Sequence, residues 1–167
     1  MSLAGVALWR SIGTGVLIAG NIAMQRGAVT SSDGSLETAR VWLMAQSPTT
    51  LNTTQPTGYI SNWDERFDAA AFDWDTKSAV VAAVGTPDGA GFATNYVIHR
   101  LCKVPNVGTN DPAQQCLKQV ESGGSSSRGG AGYGSTPLSG VSYIYYRITS
   151  RAVGPRNTVS YTQAIMY

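Results

Sequence analysis

The sequence predicts an α+β fold, with one long N-terminal helix laid on an antiparallel β-sheet, in a single domain spanning residues 1–167. Three observations predict it. Proline is absent before Pro48, and the residues preceding it are rich in Ala, Leu, Met and Gln, as in a helix with no internal stop. Residues 94–103 (TNYVIHRLCK) and 141–153 are enriched in aromatic and β-branched side chains, which favour strands. Gly154-Pro155-Arg156-Asn157 is too short a connection into residues 158–167 for anything but an antiparallel hairpin.

Composition narrows the function classes. The chain has 167 residues, 43% apolar and 13% charged, against a usual charged share of about 25%. A core can form, yet few charges are left to cover the surface, which implies that part of it is hidden by partners. A net charge of +2 gives no strong electrostatic case for nucleic acid. The 19 glycines and 7 prolines follow no collagen-like period. Residues 1–96 sum to −3 and residues 97–167 to +5, a difference that solvated surface accommodates as well as pairing between subunits does.

Residues 3–46 form the helix. At 100° per residue, one apolar stripe passes through Leu8, Trp9, Ile12, Val16, Ala19 and Ala23. A second passes through Leu3, Val6, Leu17, Met24, Ala28, Ala39 and Trp42. A helix resting on one surface needs a single stripe, so two stripes imply cover on a second side. Residues 1–32 carry only Arg10 and Arg26. Unbroken, the helix is ~65 Å long, more than a domain of this size can cover. Its first half therefore awaits another molecule, with Leu3, Val6, Leu8, Trp9, Ile12, Val16, Leu17 and Met24 as the candidate interface. Ser31-Ser32-Asp33-Gly34 is the place where one helix could end and another be capped. No run approaches the ~20 apolar residues of a membrane span. Met1-Ser2-Leu3 lacks the basic stretch of a signal peptide and reads as the start of a shortened chain.

Residues 47–92 read as a connecting region. Pro48, Asn52, Pro56 and Gly58 interrupt any period, and Trp63, Phe67, Phe72 and Trp74 pin the segment to the body. Residues 78–85 fit either a short helix or a buried strand, and residues 87–91 form a turn. Residues 93–167 form the antiparallel sheet. Within residues 141–153, Ile144, Tyr146 and Ile148 lie on one face and Tyr143, Tyr145, Arg147 and Arg151 on the other. The Gly/Ser loop 122–136 lacks the Lys-Ser or Lys-Thr of a phosphate cradle.

Cys102 and Cys116 frame a turn-rich stretch, which favours a disulfide worth ~3 kcal/mol and an oxidising compartment. Their spacing fits no zinc pattern, and His99, the single histidine, cannot complete a metal site. His99 and Cys102 stand three apart on a strand, hence on opposite faces, which works against a nucleophilic dyad. Asp64, Glu65, Asp68, Asp73 and Asp75 do not follow the spacing of a helix-loop-helix calcium loop. No motif demands catalysis or a cofactor, so the expectation is a non-enzymatic protein.

The segment GVALWRSIGTGVLIAGNIAMQ followed by ETARVWL resembles the soluble part of the long helix in the PilX-type minor pilins of type IV pili. TNYVIHRLC and the closing SYIYYRITSRAVGPRNTVSYTQAIMY resemble the C-terminal sheet of that family. The resemblance implies a type IV pilin fold with a disulfide-bounded C-terminal region, in which Cys102 and Cys116 are the matching pair. It implies a role in pilus assembly or initiation and in pilus-dependent adhesion or motility. The implied partners are other minor and major pilins, a tip adhesin, the assembly ATPase and the secretin pore. The implied location is the inner membrane and periplasm before assembly, then the extracellular pilus. The family's prepilin cleavage site and membrane-anchoring helical half are missing from these residues, so membrane contact is expected only through that missing segment. A pseudopilin of a type II secretion apparatus stays open as an alternative. So does a surface adhesive module in which the Gly/Ser loop and the 103–117 loop engage a ligand.

Overall fold

The computed structural model describes residues 2–83, 88–89, 91–120, 142–155 and 158–167. The predicted Gly/Ser loop 122–136 lies outside the described residues. A single helix, α1 (Ser2–Ala45), is followed by β1 (Tyr59–Ile60), a short helix α2 (Trp74–Lys77), β2 (Ala79–Ala82) and β3 (Ala93–Arg100). After β3 come β4 (Lys118–Val120), β5 (Ser142–Ile144), β6 (Tyr146–Val153) and β7 (Val159–Met166).

The helix continues through Ser31–Gly34, where the sequence allowed a break. Ser32 and Ser35 are fully buried and fall in one seam with Ala28, Ala39 and Leu43, at the spacing of a single helix face. Four of these five side chains are small, so the backbone lies close to the sheet. Gly27 shows how close: a Cβ there would sit 2.9 Å from the Phe92 ring. Turn residue Asp88 ties the junction down, accepting from Ser31 Oγ at 2.5 Å and from the Phe92 backbone N–H at 2.8 Å. Opposite the seam, Ala39 and Leu43 pack with Tyr59, Tyr96, Ile98 and Ile148, while Ala28 packs with Phe92 and Ala152.

The sheet is mixed rather than wholly antiparallel. Its backbone is the antiparallel series β3-β6-β7. The other edge of β3 is shared by two short strands from the predicted connecting region. β1 pairs in parallel with residues 98–99, and β2 pairs antiparallel with residues 94–96. β1 and β2 thus run in opposite directions along one edge of β3, with residues 61–78, including α2, between them. Immediately before β1, Gly58 has φ 77°, and a Cβ on it would meet the Ala79 Cβ at 2.6 Å where β2 begins. Residues 79–82 are an edge strand with Val80 and Val81 exposed, neither the short helix nor the buried strand between which the apolar run left the choice open.

The predicted strand over residues 141–153 divides at Tyr145. β5 pairs with β4 in a separate two-stranded sheet, whereas β6 joins the main sheet. Tyr145 serves both neighbours, donating its N–H to Leu117 and accepting at its carbonyl from Leu101. The final hairpin forms as read, with Gly154 N–H donating to the Thr158 carbonyl at 2.8 Å.

Because the seam has no spare volume, Ala39→Leu should overpack it and lower unfolding free energy by about 1–3 kcal/mol. Ile18→Ala, on the exposed half of the same helix, should change it by less than about 0.5 kcal/mol. Urea titration of both variants checks the contrast.

Candidate functional site: the unsheltered half of the helix

A 44-residue helix is ~66 Å long, whereas a compact domain of this size is roughly 40 Å across. The seam begins near Met24, and residues 12–23 ahead of it are exposed. Ile12, Val16, Leu17 and Ile18 are 60–67% exposed, and Ile22 is exposed as well. Cβ atoms added at Gly13, Gly15 and Gly20 would meet nothing within 4 Å. Of the candidate interface residues, Ile12, Val16 and Leu17 thus lie open. Met24 instead sits half-buried beside Ala28, Phe92 and Ala152 of its own domain. Leu3, Val6, Leu8 and Trp9 lie on the helix, with side chains outside the described residues. Where the helix leaves the sheet, Val16, Leu17 and Met24 face Pro155 and Val159 across a groove of about 890 Å³. Among the described residues, no helix is long and apolar enough to cross a membrane.

Cys102 and Cys116 form a disulfide. Its loop is lashed to the segment before β1 through Asn106, which adopts a left-handed conformation (φ 57°). Asn106 Oδ1 accepts from the Thr54 N–H at 2.8 Å, and its own N–H donates to Ser61 Oγ at 2.9 Å. The fully buried Arg100 guanidinium joins the same structures. It donates to Ser61 O (2.8 Å), Asn52 Oδ1 (3.1 Å) and Val107 O (2.6 Å). These neutral acceptors take the place of a carboxylate, which a buried charge otherwise requires.

The sheet face opposite α1 is also covered. His99 on β3 and Arg147 on β6 are register partners, and residues 63–74 fold over them. The Arg147 guanidinium lies 4.1 Å from the Trp63 ring centroid and 4.6 Å from that of Phe67, a cation–π arrangement. Phe67 meets His99 edge-on at 4.6 Å. The sequence pattern placed Arg147 correctly on the opposite face from Ile148; that face is roofed by aromatic rings instead of being open to water. Residues of the acidic segment cap turns: Asp64 accepts from the Arg66 N–H, Asp68 from the Ala70 N–H, and Asp73 from both the N–H and the hydroxyl of Thr76.

Sequence reasoning missed the burial of Arg100 and Arg147. The available signal was a charge embedded in otherwise apolar strand patterns, which requires either a solvent-facing position or a hydrogen-bonded burial. Comparison with protein-family models, curated proteins and solved structures finds no match to this chain.

Burial of His99, together with the Arg147 charge, pushes its imidazole pKa down to about 4, against a smaller upward pull from Asp64. Between the ordinary value of 6.5 and about 4, the unfolded chain takes up a proton that the folded chain refuses, so stability falls as pH falls. This group alone should make the protein about 2 kcal/mol less stable at pH 5 than at pH 7. His99→Gln should remove that component of the slope in paired denaturant titrations.

Proposed function

We propose that this chain is a non-enzymatic structural subunit of a helical filament, of the minor-pilin kind, taking part in pilus assembly and pilus-dependent adhesion or motility. The exposed apolar residues Ile12, Val16, Leu17, Ile18 and Ile22 carry the reading. Fully burying one such side chain contributes roughly 1.5–3 kcal/mol. Five of them spread around one exposed stretch of helix are therefore a strong drive toward packing against helices of neighbouring subunits. A helix seated on its own sheet by one half can bury the other half in a filament core while the sheet domain faces outward. The disulfide fits assembly outside the reducing cytoplasm, first at the inner membrane and periplasm and then in the extracellular fibre. The partners in this reading are other minor and major pilins, with a tip adhesin at the filament end.

The double variant Val16→Asp/Leu17→Asp, introduced into the genomic copy, tests it. Charges at exposed positions should leave the thermal unfolding of the isolated protein within about 0.5 kcal/mol of wild type, while surface pili per cell fall several-fold. Unchanged pilus number at normal protein levels would contradict the reading.

A further inference from the structure

At the end of the domain where α1 finishes, a cavity of about 730 Å³ opens between the helix terminus, the disulfide loop and the last strands. Such a volume lies within the range of small-molecule sites. Its walls bring together the amides of Gln46, Asn52 and Asn110 and the rings of Tyr143, Tyr146 and Tyr167. Arg100 forms the floor and fixes one of these amides. It donates to Asn52 Oδ1, so the oxygen and nitrogen ends of that amide are set and the Nδ2 donors are left over. Among the described residues, neither Asn52 Nδ2 nor the half-buried Tyr146 hydroxyl has a hydrogen-bond partner. Tyr143 and Tyr167 pack at 6.1 Å between ring centroids, tilted by 59°. Both remain substantially exposed, which leaves flat apolar faces open beside the polar groups.

Charge decides which polar ligand this suits. The Arg100 cation at the floor is balanced at the rim by Asp111, one oxygen of which is engaged by the Ala113 N–H at 2.8 Å. A site with both signs and several amides offers donors and acceptors without net attraction for an anion. Aromatic faces beside fixed amides match a ring that is hydrophobic on its C–H face and hydroxylated at its edges.

We propose that this cavity binds a neutral pyranose sugar, with Tyr143 and Tyr167 stacking on the ring and Asn52, Asn110 and Gln46 bonding its hydroxyls. The site stands independently of the assembly reading. Gln46 lies ~36 Å along the helix from Ile22, so a partner covering residues 12–22 leaves the cavity open.

Saturation-transfer NMR on the purified protein tests the proposal, using methyl glycosides of galactose, glucose, mannose and N-acetylglucosamine. Mannitol serves as the acyclic control and galacturonate as the charged one. At least one neutral pyranoside should receive saturation where mannitol does not. Tyr143→Ala/Tyr167→Ala should weaken its binding roughly fivefold or more, with the unfolding temperature of the variant monitored as a fold check. Asn110→Ala, on the exposed rim, supplies a second variant expected to weaken binding. No pyranoside signal above mannitol, a clear preference for galacturonate, or undiminished binding in the folded double tyrosine variant would each overturn the assignment.

Discussion

The close seat of α1 on the sheet is the constraint on which the rest of the molecule depends. Ala28, Ser32, Ser35 and Ala39 present almost no side-chain volume, so the helix can approach the sheet until Phe92 reaches Gly27. Small residues also mean that the seam is specific in position: sliding the helix by a turn would drive larger side chains into Ile98 and Ile148. The sheet is long enough to hold only the C-terminal half of the helix. Ile12, Val16, Leu17, Ile18 and Ile22 are left in water by geometry and not by any defect of packing.

The second face of the sheet follows a different logic. α1 buries apolar residues against small ones, whereas the segment over His99 and Arg147 buries a neutral imidazole and a guanidinium under aromatic rings. Arg100 is handled in a third way, by neutral carbonyl and amide oxygens drawn from three separate segments. The disulfide holds one of those segments in place. Local order around residues 52, 61 and 107 is therefore coupled through one guanidinium, and it shapes the cavity beyond.

Much of this was legible in the sequence, because periodicity and cysteine spacing are local signals. The helix, the final hairpin and the disulfide all express short-range rules, and the two stripes distinguished a helix with more than one apolar side. Ser31–Gly34 was ambiguous because serine and glycine mark caps in isolation; tertiary packing overrides this when a seam needs small side chains. The parallel entry of β1 could not be read, since two residues carry no period and their pairing is set 39 positions away in register with Ile98 and His99. The turn of the chain at Tyr145 was hidden for a related reason: alternation runs smoothly across it while the pairing partner changes. Burial of Arg100 and Arg147 depends on aromatic and carbonyl groups supplied from distant segments, which no window of sequence displays.

Hydrogen exchange along α1 tests the central claim most directly, since one helix should behave as two. In the isolated protein, amides of residues 28–43 should exchange slowly, at rates set by opening of the sheet, while those of residues 12–22 exchange orders of magnitude faster. Under the proposed assembly, packing of neighbouring subunits should make the second group as protected as the first. Equal, strong protection along the whole helix in the lone monomer would contradict the account.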